Sequence, residues 1–149
     1  MNTLESIKAT GRLAIAVLDA NGNVKDSLEV ENLVVTAGLG FIASRMKDAT
    51  AAAMSHMAVG SGTTAASAGQ TALVTELGRA TLTSTNVTGA QVQYVATFGP
   101  GVSTGAVTEA ALFNAASSGT MLCRTVFSVV NKDAGDTMTI TWTVTLAAA

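Results

Sequence analysis

The last stretch of the chain constrains the fold most strongly, because apolar residues and threonines alternate there without a break. The apolar positions are Met138, Ile140, Trp142, Val144 and Leu146, and a threonine stands between each pair and before the first. Successive side chains of a β-strand point to opposite faces of a sheet. The pattern therefore predicts a strand with one buried face and one threonine face that is half wet or meets a partner.

Most of the remaining chain reads as short β-segments between turns. Arg12–Val17 and Val24–Val30 flank Asn21-Gly22, which is the strongest short signal for a β-hairpin. Further strands are predicted over His56–Val59, Arg79–Val87, Gln91–Phe98, Ala106–Asn114 and from Met121 onward. In the strand from Met121, the inward face is predicted to carry Met121, Cys123, Thr125, Phe127 and Val129.

One segment has helical periodicity instead. Leu39, Ile42 and Met46 recur at the spacing of one helix face within Ala37–Lys47, and Thr36 is the expected N-cap. Gly60–Gly69 is small and polar and predicts a loop. For Thr71–Leu77 the sequence leaves a helical turn and an extended segment equally open.

These elements predict an all-β fold, an antiparallel β-sandwich of jelly-roll type with one or two short helices. A length of 149 residues fits one domain. We expect an N-terminal arm over residues 1–10 and a single β-sandwich domain over residues 11–149.

Charge and hydropathy exclude several classes of protein. Charged residues make up 12% of the chain, with 8 Lys and Arg against 10 Asp and Glu. No basic cluster is available to bind nucleic acid. No apolar stretch reaches the roughly 20 residues of a membrane-spanning helix. No secretory signal is evident either, so we expect a chain made in a reducing cytosol that engages neither nucleic acid nor membrane.

No group of residues in the sequence forms a recognisable catalytic, cofactor or metal site. His56 is the single histidine, and Cys123, the single cysteine, sits among apolar strand residues that predict burial. Asp133 and Asp136 lack the dense oxygen ligands that calcium needs. The segment Gly60–Thr64 lacks the Gly-Lys-Ser/Thr ending of a phosphate loop. We expect a protein that is not an enzyme and holds no cofactor or metal.

The sparsely charged surface instead favours an assembly protein, because small neutral side chains are cheap to desolvate and to order against a neighbour. The scarce charges of the strands are expected to pair across strands or across subunits of a homodimer or homotrimer. The candidate interface residues are Leu4, Ile7, Glu76, Arg79, Glu109 and Arg124.

Five segments, in order, resemble the virion structural proteins of tailed bacteriophages. They are Asn32–Leu39, Met57–Thr64, Thr71–Arg79, Thr108–Asn114 and Gly135–Trp142. In the fourth segment this chain has Ala111 where the family form Glu-Ala-Gly-Leu-Phe has glycine, so that corner is expected to be built differently.

The resemblance implies a jelly-roll capsid cement, or decoration, protein that bridges subunits of the major capsid protein. Its place would be the capsid surface of the virion, after synthesis in the cytoplasm of the host bacterium. A phage tail or fibre component is the alternative within virion proteins. A carbohydrate-binding β-sandwich module is the alternative from another class, although Tyr94 and Trp142 fall on predicted core faces.

Overall fold

The computed structural model describes residues 6–148, which form nine β-strands and one α-helix. The strands are β1 (Ile7–Leu18), β2 (Val24–Val34), β3 (His56–Gly60), β4 (Glu76–Thr81), β5 (Ser84–Thr88), β6 (Gln91–Phe98), β7 (Gly105–Phe113), β8 (Met121–Lys132) and β9 (Thr137–Ala148). The helix α1 (Thr36–Lys47) follows β2. The predicted all-β class is confirmed.

The strands form one antiparallel sheet in the order β4-β3-β7-β8-β2-β1-β9-β6-β5. β8 and β2 pair only through Arg124 with Leu33 and Cys123 with Val34. The sheet is curled, and inward side chains from both of its halves pack into one main core. Successive side chains of a strand point to opposite faces. β1 and β9 have one fully buried face, whereas β3 and most of β7 are buried on both faces.

The alternation of the C-terminal strand is confirmed in β9. Ile140 and Trp142 have no exposed surface, whereas Thr139 and Thr141 on the opposite face are half-buried. β9 lies between β1 and β6 in the middle of its half of the sheet. Burial of a large apolar side chain contributes about 1.5–3 kcal/mol, so this face is a major source of stability.

The predicted hairpin joins β1 to β2. Gly22 has φ +83°, a conformation that disfavours residues with a side chain. The Asp19 carboxylate accepts hydrogen bonds from the backbone N–H groups of Asn21 and Asn23 at 2.9 and 3.0 Å. These local bonds fix the turn and with it the register of β1 on β2.

Residues 1–5 of the expected N-terminal arm, including Leu4, lie outside the described residues. Residues 7–10 of that segment belong to β1 and pair with β9, beginning with Ile7 opposite Ala148. Ile7 itself is exposed.

The predicted helix is present, but Thr36 is not its N-cap. Val35 occupies that position with no side-chain cap, and the Thr36 N–H donates to the Ala68 carbonyl at 2.8 Å. Leu39 and Met46 are 50% and 82% exposed, so the apolar face is only partly covered. The helix approaches β8 closely through Gly38, where a Cβ would collide with the Leu122 backbone.

Two further expectations for the strands need correction. Val129 was predicted to face inward but is 51% exposed, because a bulge between β7 and β8 reverses the alternation and buries Val130 instead. The single strand predicted over Arg79–Val87 is two strands, β4 and β5. β4 begins at Glu76, and residues 71–75 are loop.

Across residues 6–148, no helix has both the length and the apolar character that crossing a membrane requires.

Candidate functional site

The loop of residues 61–75, which connects β3 to β4, is the most unusual feature of the described chain. It contains no helix, no strand and no charged residue. Structureless loops of about 12–15 residues or more are uncommon in compact domains and are usually functional or disordered. We call residues 61–75 the anchored loop, because buried side chains hold it at several points.

Glu109 on β7 is the first of these anchors. Its side chain is fully buried, and its Oε2 accepts hydrogen bonds from the N–H groups of Gly62 at 2.7 Å and Thr75 at 2.8 Å. Its Oε1 accepts a third from the Val74 N–H at 3.0 Å. One carboxylate therefore ties the two ends of the loop together.

Arg124 on the neighbouring strand β8 is the second anchor. Its Nη2 and Nε donate to Glu109 Oε1 at 2.8 and 3.1 Å, and both side chains have no exposed surface. Its Nη1 reaches into the loop and donates to the Thr64 carbonyl at 2.9 Å and to Gln70 Oε1 at 3.0 Å. The ion pair thus contacts the start, the middle and the end of the loop.

The electrostatics of this pair favour the ionised form of Glu109. Burial by itself raises the pKa of the carboxyl, but hydrogen bonds from Thr75, Val74, Arg124 and Gly62 outweigh burial and hold the pKa below its usual value. A buried charge that keeps its partner and its hydrogen bonds is tolerated, whereas loss of one partner is strongly destabilising.

Apolar packing and close backbone contact add to the anchoring. Leu73 is buried in a small cluster that includes Phe113 and Met121. A Cβ on Gly62 would come within 2.6 Å of the Val74 Cβ, so the two ends of the loop touch where only glycine fits. The loop consequently presents a fixed shape.

Three exposed apolar residues lie on this loop, on β4 and in the turn between β6 and β7. Val74, Leu77 and Val102 are 51%, 37% and 41% exposed, and we call them the loop–β4 surface. Leu77 lies beside Gly105, and Ser103 covers Gly78, so β4 packs against the turn that carries Val102. These three exposed side chains are uncharged, and the contacts described above hold the segments that carry them in place.

The charged pair Glu76–Arg79 borders the loop–β4 surface. Arg79 Nε and Nη2 donate to the two oxygens of Glu76 at 2.9 and 3.1 Å. Arg79 also donates to the Ala115 and Ser118 carbonyls, and its guanidinium lies 3.7 Å from the centre of the Phe113 ring. The arginine therefore has a single defined position at the edge of the surface.

The structure divides the candidate interface residues into three groups. Glu109 and Arg124 pair across strands and, being buried, act on the surface only through the loop. Glu76 and Arg79 differ from the expectation of pairing across strands, because within the described residues they pair with each other along β4 at the surface. Ile7 is exposed on β1, away from both pairs in the sheet order. A direct role of any of them at an interface stays a prediction.

The groups considered for chemistry do not converge. The Cys123 thiol is fully buried, and burial raises its pKa well above the usual value. His56 Nδ1 lies 2.8 Å from Ser55 Oγ, and Asp133 and Asp136 both accept hydrogen bonds from Lys25. Residues 6–148 contain no group of three His, Cys, Asp or Glu side chains placed to hold a metal.

The glycine-rich segment Gly60–Thr64 is explained by contacts within the chain. The N–H of Gly62, which a phosphate loop would turn toward its ligand, is already bound to Glu109. Sequence reasoning selected Glu109 and Arg124 because charges on apolar strands are rare. It missed Gln70 and Leu73, which carry no distinguishing signal in a run of small polar residues.

A cavity of about 310 Å³ lies between α1 and strands β5, β6 and β9. Its walls are mainly apolar and include Phe41, Ile42, Val87 and Tyr94. Burial raises the pKa of Tyr94 to about 12, so its hydroxyl stays protonated at neutral pH.

No family model matches the chain, and the comparisons with curated proteins and with solved structures find no match either.

Proposed function

We propose that this chain is a non-enzymatic structural protein of a virion: a capsid cement, or decoration, protein of a tailed bacteriophage. In this proposal its curled sheet works as a jelly-roll β-sandwich that self-associates as a homodimer or homotrimer and bridges major capsid subunits. The observation that carries the proposal is the uncharged loop held rigid by the buried Glu109–Arg124 pair.

A rigid, uncharged loop suits docking onto a large shell. Its conformational entropy is already lost in the free chain, so docking does not have to order it. The loop–β4 surface adds three exposed apolar side chains to this part of the chain, and exposed apolar side chains that form one patch are typical of an interaction site. The same loop offers no charged group to a substrate.

The outer face of β1 and β9 supports the same function. Ala14, Ala16, Thr139 and Thr141 line a shallow depression there, and all four are small and half-buried; Glu29 of β2 lies at the same depression. Such a face lies flat against a neighbour with little side-chain entropy to lose.

Repetition on a symmetric shell makes modest contacts sufficient. When two or more copies are linked, the second docking event becomes intramolecular, and overall binding strengthens by roughly 10²–10⁴ without any new contact. A cement protein with a small docking surface therefore holds firmly once it self-associates.

The direct test is the number and position of copies on purified phage particles, measured by quantitative mass spectrometry and by labelling of intact particles. The proposal expects hundreds of copies on the head, on the order of the capsid subunits they would bridge. A handful of copies at the tail would assign the chain to the tail or fibre instead, and absence from particles would contradict a virion role altogether.

The carbohydrate-binding alternative has less support. Trp142 has no exposed surface and Tyr94 is 7% exposed, whereas sugar platforms use exposed aromatic rings. Binding on a glycan array with a change in tryptophan fluorescence would favour that alternative over the cement function.

A further inference from the structure

The two ends of the described sheet, β4 and β5, differ in how they are protected. An edge strand leaves backbone N–H and C=O groups unpaired, and proteins usually blunt such edges with charges, proline or bulges. β4 carries Glu76 and Arg79, and Arg79 additionally bonds to the neighbouring turn. The part of β2 that does not pair with β8 carries Lys25, Asp26, Glu29 and Glu31.

β5 has none of these protections. Its sequence is Ser-Thr-Asn-Val-Thr, without charge or proline, and all five residues are exposed. It pairs with β6 on one side in regular register, and within residues 6–148 no strand pairs with its other side. Val87 is 71% exposed at this edge.

Apolar surface lies directly beside the open edge. Thr85 and Val87 line the 310 Å³ cavity together with Ile42 of α1. Met46, one helical turn after Ile42, is 82% exposed and extends the apolar surface along the helix. An open edge beside an apolar groove is the arrangement by which sheets accept an added strand.

We propose that β5 is the interface between two copies of this chain, which pair antiparallel at this edge about a two-fold axis near Asn86. The inference rests on the proposed function, for which it names the self-association surface.

The sequence of β5 is complementary to itself in this arrangement. Thr85 lies opposite Val87 of the second copy, and Ser84 lies opposite Thr88, so β-branched or small residues meet on both sides of the central Asn86–Asn86 pair. β5 has no charged residue, so no like charges meet at the axis. In a two-fold contact between charged strands, each charge near the axis would lie close to the same charge of the second copy. Because Thr85 and Val87 line the cavity in each copy, the pairing also brings the two cavities side by side, each mainly apolar with Arg45 in its lining.

The first test measures the mass of the full chain in solution by light scattering after size-exclusion chromatography. The unchanged chain is expected to be a dimer. Val87→Lys places a charge on the edge and is expected to abolish the dimer, while circular dichroism shows an unchanged fold. Val24→Lys, at an equally exposed valine of β2, is the matched control and is expected to leave the dimer intact.

The second test uses a disulfide at the axis. Asn86→Cys is expected to form a covalent dimer on mild oxidation, because opposing residues in antiparallel strands lie within reach of a disulfide. The native Cys123 is buried and does not interfere, and Val24→Cys is expected to stay monomeric under denaturing conditions. The β5 interface would be overturned if the unchanged chain were a monomer or an odd-numbered oligomer. It would also be overturned if Val87→Lys remained a dimer or if Asn86→Cys failed to crosslink. The copy number on particles tests the virion role independently.

Discussion

At the scale of single residues, Glu109 decides the shape of the anchored loop. It accepts hydrogen bonds from three loop N–H groups and from the guanidinium of Arg124, and neither charged side chain has exposed surface. A backbone N–H buried without a partner is costly, so the carboxylate makes a loop conformation possible that the loop's own small residues do not specify.

Removal of this carboxylate is expected to be severe. Glu109→Ala leaves Arg124 charged and buried without its partner, which costs about 3–5 kcal/mol of unfolding free energy. Glu29→Ala is the matched control, because Glu29 pairs with Arg12 at the exposed surface and such pairs contribute about 0–1 kcal/mol. Chemical denaturation measures both, and equal small losses would refute the anchoring role.

The same group predicts a dependence of stability on pH. The folded-state pKa of Glu109 lies below its ordinary value of 4.5, so its ionised form stabilises the fold above that pH and the contribution fades as the pH falls through the lowered pKa. We expect Glu109→Gln to flatten the loss of unfolding free energy below about pH 5. Asp136, whose pKa the Lys25 hydrogen bond lowers, retains its own acid dependence in both proteins. Identical acid profiles would contradict this assignment.

At the scale of elements, the sequence predicts the positions of the strands well, but it predicts their ends and their bulges poorly. The β9 alternation and the Asn21-Gly22 turn are local signals, and both are confirmed. The exposure of Val129 depends on a bulge against β7, and the division between β4 and β5 depends on pairing with different strands. Such features arise from long-range pairing, which overrides local periodicity.

The candidate site likewise combines residues that the local sequence predicts with contacts that only long-range pairing sets. Glu109 and Arg124 stand out in the sequence because charges interrupt apolar strands. Their joint hold on residues 61–75 depends on the pairing of β3 with β7 and of β7 with β8, which places the loop that leaves β3 beside both charged residues. No local pattern in a run of Ala, Gly, Ser and Thr predicts which of its N–H groups will meet a carboxylate.

Hydrogen exchange tests whether the loop is rigid. The amides of Gly62, Val74 and Thr75 are expected to exchange slowly, because each donates to buried Glu109. Thr63 and Ala65 are exposed and donate no backbone hydrogen bond among the described residues, so their amides are expected to exchange fast. Uniformly fast exchange across residues 61–75, measured by NMR, would show a mobile loop.

At the scale of the whole molecule, the rigidity of the anchored loop and the low surface charge both favour the proposed function. The described chain presents an anchored loop, an outer face rich in small residues and the open edge of β5, and its ionisable groups are paired or dispersed. Together these features support the proposed role, in which the chain contacts its own copies and a larger shell.

Rebinding to phage particles depleted of the chain tests this account most directly. We expect the unchanged protein and Val24→Lys to rebind, and Val74→Lys to lose binding, because Val74 lies on the loop–β4 surface whereas Val24 lies on β2 at the far side of β8 in the sheet order. Equal rebinding of all three proteins, or failure of the unchanged protein to bind, would contradict docking through the anchored loop.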